Sequence, residues 1–393
     1  MKVLVTEKIP IKIWDDSESI YSDYAVLQQA KNLANHPLSH KWVCLMPDFH
    51  LGYGMPIGGV LATRGGVVPN AVGVDIGCGM IAVKTNLEAA QLSREKLQEI
   101  RLAIHRRVPV GQSQHKEPKD VKKNRYLIDL YGDGGFYEPL DKLWWDQKAA
   151  YQLGTLGGGN HFIEIQKDAD DQVWIMLHSG SRNLGLQVCN HYHSKAKKFM
   201  EDFKSQVPDM DLAFLPSSTD EYQQYMECMN WCMKFAEFNR LTMLEETYAA
   251  FEECGFEIEP QQFIDTHHNF AVMENHFGEN LLVHRKGAVK AKGLVTIPGS
   301  MGTASYIGEG LDPTESFCTC SHGAGRVLSR KAASAAVTHD QALEMMEHVV
   351  FGTKHGSYDE HPHAYKDVDA VMANQADLVK PVHRLLPMAV VKG

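Results

Sequence analysis

Apolar positions recur at helical spacing in several parts of this chain. Between Thr219 and Cys254, the residues Tyr222, Tyr225, Met226, Met229, Cys232, Met233 and Ala236 share one face, and Gly255 stands where a helix C-cap belongs. Leu87 to Arg107 has the same spacing and follows Asn86, a candidate cap. Arg326 to Ala336 predicts a third helix. A fourth starts near Thr338, where Thr338 and Gln341 fit a capping box. Glycine-rich turns separate short β-like runs from Val43 to Val83 and from Leu153 to Gly185, and Met1 to Glu7 reads as a strand. Val108 to Asp146 mixes Gly, Pro and charge without a period, which predicts irregular structure. The regular strand–helix alternation of a doubly wound sheet is missing. The expected fold class is therefore α+β, with β-sheets flanked by helices. No repeat or low-complexity linker divides the chain, and the residues able to do chemistry span most of it. One compact catalytic domain over residues 1–393 is expected.

Composition narrows the class. A hydrophobic fraction of 44% supports a large core, and no apolar run reaches the roughly 18 residues of a membrane span. The N-terminus lacks the apolar core and cleavage site of a signal peptide, so a cytoplasmic location without a membrane partner is expected. The formal net charge of −10 argues against bulk attraction to nucleic acid but leaves room for a local basic groove. Lys116, Lys119, Lys122, Lys123 and Arg125 form one basic cluster, and Arg101, Arg106 and Arg107 another. Each is first read as solvated surface. The eight cysteines show no repeated spacing, which excludes a secreted disulfide framework. Cys228 and Cys232 lie one helical turn apart among Met and aromatic residues, as core residues do.

Four segments carry ligand-type side chains. They are Gly73-Val74-Asp75-Ile76-Gly77-Cys78-Gly79, Gly157-Gly158-Gly159-Asn160-His161-Phe162-Ile163-Glu164, His178-Ser179-Gly180-Ser181-Arg182 and Asp265-Thr266-His267-His268-Asn269. A carboxylate and a thiol three residues apart on a glycine-freed turn can reach one ion. Imidazole, thiolate and carboxylate together suit a transition metal better than magnesium or calcium. Each segment alone reads more readily as an ordinary polar turn than as a ligand site; taken jointly, the metal site and the ordinary turns stand about level.

Two further segments suggest phosphate handling. Thr296-Ile297-Pro298-Gly299-Ser300-Met301-Gly302-Thr303-Ala304-Ser305 is rich in small residues that let backbone N–H groups face an anion. Ser321-His322-Gly323-Ala324-Gly325-Arg326 precedes a helical pattern and reads either as an anion site with His322 at its mouth or as a plain turn before a helix. In such a place a histidine can be a nucleophile, a general acid or a ligand. Cys318-Thr319-Cys320 just upstream reads as strand rather than as half a zinc site. There is no Walker A sequence, no Lys-x-Asp-Gly of the lysine-dependent nucleotidyltransferases and no Gly-x-Ser-x-Gly elbow.

These blocks, with Met46-Pro47-Asp48-Phe49-His50-Leu51-Gly52, His284-Arg285-Lys286-Gly287-Ala288 and the terminal Val391-Lys392-Gly393, occur in an order that resembles the RtcB family of RNA ligases. The resemblance implies that His322 attacks the α-phosphate of GTP and becomes guanylylated. GMP would then pass to an RNA 3′-phosphate, and a 5′-hydroxyl would displace it. A 2′,3′-cyclic phosphate end would first be hydrolysed. The resemblance further implies two Mn2+ ions, one held by Asp75, Cys78 and His161 and the other by Cys78, His178 and His268. The GTP contacts it implies are Asn160, His161, Phe162, Ile163, Glu164, His268, Asn269, Pro298, Gly299, Ser300, Met301, Ser305, His322, Gly323, Ala324, Gly325, Tyr365 and Lys392. Asp48 would position either His322 or its metal environment, and Arg182, Arg285 and Arg326 would meet RNA or phosphate. An archease-like activator is a further implied partner. Asn183, Phe49 and the segment Gln112 to Leu143 depart from the family pattern. The rival reading is a dinuclear metallophosphoesterase, echoed by Asp48-Phe49-His50 and Asn160-His161. That class expects a second aspartate in a Gly-Asp context and an acidic residue after Asn-His, where this chain has Asp75-Ile76-Gly77-Cys78 and Phe162. A non-catalytic metal- or RNA-binding module is a third class, with little use for a glycine-cradled histidine beside a full ligand set.

Overall fold

Strands whose central members are buried on both faces build two antiparallel-rich sheets in a computed structural model that describes residues 1–15, 23–131, 137–146, 148–352 and 358–392. The first sheet runs Lys2–Leu4, Ile11–Ile13, Ser39–His50, Ile57–Thr63, Glu279–Lys286 and Asn269–His276. Its pairings are antiparallel except that of Ile11–Ile13 with Ser39–His50. The second runs Gln262–His267, Gly79–Glu88, Gln172–Ser179, Phe162–Lys167, Val379–Lys392, Ser305–Leu311 and Lys292–Ile297.

Alternation along the strands decides what each face covers. In the second sheet, Ile81, Val83, Ile163, Ile165, Ile175 and Leu177 pack against Leu97, Ile100 and Ile104 of the helix Arg94–Arg107 and against Met243 and Phe251 of the helix Asp220–Glu253. Met80, Ala82, Trp174 and Met176 face the other way, toward Ile307 and Leu385. In the first sheet, Ile11, Ile13, Val43, Leu45 and Leu61 take Val26, Ala30 and Leu33 of the helix Tyr24–Ala34. The fold is α+β, as the pattern predicts.

The long helix matches its sequence signal. Thr219 caps Asp220–Glu253 by accepting from Tyr222 N–H, and Gly255 follows at φ +90°. Cys228 and Cys232 are buried in its core face. The capping box at Thr338 and Gln341 opens His339–Met345.

Other boundaries differ. The strand Gly79–Glu88 continues through Asn86 and Leu87, so the helix starts only at Arg94 under Ser93. Asn86 instead bonds Glu257 O and Glu259 N–H. The third helix is Arg330–Ala336, capped by Ser329, because Arg326 is drawn into a bridge with Tyr365. Residues from Val108 to Asp146 are not wholly irregular: Arg125–Tyr131 and Leu140–Trp145 are short helices. Their Leu127, Leu130 and Leu140 are buried against the long helices, a tertiary gain that local periodicity does not reveal. The β-like run to Gly185 ends earlier than expected, since Arg182–Asp202 is a 21-residue helix.

Candidate metal centre and nucleotide cavity

The chain passes from one sheet to the other at His268. Gln262–His267 pairs with Gly79–Glu88, whereas Asn269–His276 pairs with Glu279–Lys286. His268 N–H donates to Cys78 O at 2.9 Å, and Gly77 N–H to Asn269 O at 2.8 Å. These bonds lock the Asp75–Cys78 turn to the junction. The ends of the neighbouring strands add His161 and His178.

The four distant segments converge: ligand atoms of Cys78, His161 and His178 lie within 4.8 Å of one another, with Asp75 beside His161 and His268 beside His178. Cys78 Sγ lies 3.4 Å from His161 Nε2 and 3.2 Å from His178 Nε2. Asp75 Oδ2 is 3.0 Å from His161 Nε2, and His178 Nε2 is 3.3 Å from His268 Nε2. His161 Nδ1 sits 2.9 Å from Leu156 O and His178 Nδ1 3.1 Å from Asn160 O. A carbonyl can only accept, so each Nδ1 donates to it, and both Nε2 atoms face inward, that of His161 toward Asp75 and that of His178 toward Cys78 and His268.

Burial, then the neighbouring imidazoles, push His178 and His268 well below the ordinary histidine value, so both rings are neutral. Burial, then Asp75, holds the Cys78 thiol well above its usual range. Burial raises Asp75, but the hydrogen bond and charge of His161 outweigh it and leave the carboxyl lowered. Asp75 Oδ1 and His268 Nδ1 are buried without a hydrogen-bond partner among the described residues. Lone pairs, a carboxylate and a thiol aimed at each other are poorly satisfied by themselves and well satisfied by a cation, and this borderline-soft donor set suits a transition metal.

His322 follows the strand Thr319–Ser321, which pairs with Ala288–Lys290. Asp48, with no solvent exposure, accepts from His322 Nδ1 at 2.6 Å, His322 N–H at 3.1 Å and Gly323 N–H at 3.3 Å. Ala324 N–H donates to Pro298 O at 2.9 Å. The helix beyond begins at Arg330, so His322 is not at a helix mouth, and these loop N–H groups serve internal acceptors. The imidazoles stand in a row: His161, His178, His268 and His322 have successive ring-centre spacings of 5.1, 5.1 and 4.8 Å.

A cavity of about 520 Å³ opens beside His322. Asn160, Phe162, Glu164, the stretches Pro298 to Met301 and Gly323 to Gly325, Tyr365 and Lys392 line it. The sheet register accounts for two of these, since Val390 pairs with Glu164 and Lys392 with Phe162, bringing the last strand beside the Asn160 segment. Burial pushes the Glu164 carboxyl up to about 8. It lowers Lys392, an effect that Glu360, 3.2 Å from the ammonium, partly offsets. Arg326 Nη1 reaches Glu360 at 2.8 Å and Tyr365 Oη at 3.0 Å.

The family profile described as tRNA-splicing ligase RtcB matches residues 29–393. The chain belongs to the RtcB family. It is 40% identical to the RNA-splicing ligase RtcB of Escherichia coli strain K12, over 100% of this chain and 99% of that protein. It is 33% identical to the tRNA-splicing ligase RtcB of Thermococcus kodakarensis, over 98% and 95% respectively. The RNA-splicing ligase RtcB of Mycobacterium bovis is 32% identical over 93% of this chain and all of its own length.

Within this RtcB fold some expected site residues stand apart from the cavity. Ile163 is in the apolar core. Asn269 braces the metal turn, donating to Asp75 O at 3.0 Å and accepting from Gly287 N–H at 2.8 Å. Ser305 is buried against Gln166 and Gly299 N–H. His161 and His268 belong to the cluster and do not line the cavity. Arg285 is fully buried, forked onto Glu274 at 3.1 and 2.9 Å and bonded to Phe317 O, so it is sealed from RNA. Asp48 and His50 do not join the cluster, contrary to the metallophosphoesterase pattern; His50 Nδ1 turns to Asp48 O. Arg106 and Arg107 pair with Glu253, and Arg125 with Glu245, as surface charges do. Sequence reasoning missed His50, Arg330 and Glu360 as cavity residues. His50 lay in a quoted motif; nothing local marked the other two.

Proposed function

We propose that this chain is an RNA ligase that uses GTP and manganese to join RNA 3′-phosphate or 2′,3′-cyclic phosphate ends to 5′-hydroxyl ends, through a histidine–GMP adduct. The supporting observation is His322, fixed by Asp48 between a cluster of metal-type donors and a nucleotide-sized cavity. The Escherichia coli and Thermococcus kodakarensis relatives are RNA- and tRNA-splicing ligases, which supports the reading.

Asp75, Cys78, His161, His178 and His268 would hold the metal. When bound, Mn2+ would supply positive charge to phosphate oxygens. The chain's own residues do the rest. Asp48 accepts the Nδ1 proton of His322 and leaves Nε2 as the nucleophilic nitrogen. Nε2 attacks the α-phosphorus, forming an N–P bond as pyrophosphate leaves. An RNA 3′-phosphate oxygen then takes the GMP and frees His322. The 5′-hydroxyl attacks that activated phosphate, its proton is lost, and GMP departs. A cyclic phosphate end is first opened by water.

Guanine presents two donors beside an acceptor. A carboxylate from Glu164 and an ammonium from Lys392, on neighbouring strands at the cavity wall, match that order, whereas adenine reverses it. Arg326 and Arg330 supply cations for phosphate at the rim. We place the activity in the cytoplasm and include an archease-like activator among its partners.

The test is incubation with α-labelled GTP and Mn2+ followed by denaturing electrophoresis, and then RNA bearing 3′-phosphate and 5′-hydroxyl ends. A labelled protein band and a joined RNA are expected. Release of inorganic phosphate without GTP, and no joining, would return the protein to the phosphoesterases.

A further inference from the structure

Two consecutive residues of the long helix, Asn239 and Arg240, are polar, fully buried and absent from the roles above. A guanidinium and a carboxamide buried in a helix interior are costly unless their hydrogen bonds are met. Their partners have a common feature: they lie beside the residues of the metal cluster.

Arg240 Nη1 donates to Gly77 O at 3.0 Å and Ser179 O at 3.2 Å, next in sequence to Cys78 and His178. Its Nη2 lies 3.2 Å from His267 Nδ1, next to His268, and 2.8 Å from Asp265 Oδ1, which Nε also reaches at 3.1 Å. Asn239 serves the remaining segment. Its Oδ1 accepts from Gly154 N–H at 2.7 Å and Thr155 N–H at 3.0 Å. Its Nδ2 donates to Thr155 O at 3.1 Å, Ser179 Oγ at 3.3 Å and Gly180 O at 3.2 Å. Ser179 Oγ in turn donates to Leu156 O, the carbonyl that also accepts from His161 Nδ1. Gly180 lies against Asp75, where a Cβ would come within 2.2 Å of its Oδ1.

We propose that Asn239 and Arg240 are positioning residues that set the metal cluster, registering the segments that carry Asp75, Cys78, His161, His178 and His268 against one rigid helix. Successive helical side chains diverge by about 100°, so an adjacent pair can reach segments on both sides of the helix's inner face. Those segments are four separate stretches of sequence at the ends of four neighbouring strands of the second sheet, and no single strand pairing orients them all. The guanidinium fork matters here, because an ammonium at the same place cannot satisfy Gly77 O, Ser179 O, His267 and Asp265 together.

This inference rests on the metal reading of the cluster. The test is titration of the metal-free full chain with Co2+, followed by the ligand-field and thiolate-to-metal absorption bands. Arg240→Lys and Asn239→Ser should each bind Co2+ about 10–100-fold more weakly, with altered bands, as loss of outer support for ligands does. Leu378→Ala, buried in a separate apolar cluster, serves as the stability control and should keep wild-type affinity despite a lowered unfolding temperature. Wild-type affinity and spectrum in both site variants, or an equal loss in Leu378→Ala, would overturn the proposal. Should Arg240→Lys not fold, Asn239→Ser decides by the same reading. A wild-type chain that binds no Co2+ would overturn the metal reading itself, and the proposal with it.

Discussion

His322 Nδ1 lies 2.6 Å from Oδ2 of Asp48, a carboxylate that also accepts the backbone N–H of His322 and is closed to solvent. Ring and backbone are thus held by one oxygen, which fixes the tautomer as well as the side-chain direction. Asp48→Asn should keep the shape but present a donor where an acceptor is needed. Guanylylation by labelled GTP should fall by about 10²–10⁴-fold, the range seen when an orienting carboxylate is lost. An unchanged rate in a folded variant would remove Asp48 from the mechanism.

The nucleophile is tested most directly by His322→Ala. The protein–GMP adduct should vanish while the unfolding temperature and Co2+ binding stay near wild type. The wild-type adduct should be labile to acid and stable to base, as an N–P bond is. RNA already carrying GMP on its 3′-phosphate should still be sealed by the variant, because the missing step has been bypassed. A surviving adduct, or an acid-stable one, would point to a different residue.

Cys78 stands between His161 and His178 at 3.4 and 3.2 Å, so removing its sulfur should disturb every neighbour at once. Cys78→Ala should lose most bound Mn2+ in metal analysis of the purified protein, and joining should fall with it. Equal metal content in variant and wild type would exclude the thiolate as a shared ligand.

Glu164 makes a pH-dependent prediction. Burial raises its folded-state carboxyl to about 8, against an ordinary 4.5. Between those values the folded chain holds a proton that the unfolded chain has released. Stability from this group therefore falls as pH rises through that window and levels off above it. Glu164→Gln removes the slope, so its unfolding temperature relative to wild type should climb from pH 5 to pH 8. Guanine needs the ionised carboxylate. Wild-type GTP affinity by calorimetry should then rise toward pH 8, by up to about tenfold per pH unit, and the variant's weaker affinity should stay flat. Parallel pH profiles would separate Glu164 from the base.

Much of this protein was legible in its residues. The long helix from Thr219 to Cys254, the Thr338–Gln341 box and the α+β class follow from local periodicity and capping, which act over a few residues. The ordered blocks around Asp75, His161, His178 and His322 pointed to the RtcB family before any coordinate. Local pattern could not show that Asn86 stays in a strand or that Arg125–Tyr131 is helical, because sheet pairing and burial decide those.

The sequence by itself determined which chemical groups were available and the family that arranges them. Only the tertiary structure decided which groups meet. His268 becomes a cluster member because the chain leaves one sheet and enters the other there, and Lys392 reaches the cavity because strand register sets it opposite Phe162. The Gly323 and Ala324 N–H groups expected to meet phosphate serve Asp48 and Pro298 instead. Arg285, which sequence alone offered to RNA, is taken by Glu274 in the interior. In each case the deciding partner lies far away in sequence, and a buried polar group must find its partner wherever the fold provides one.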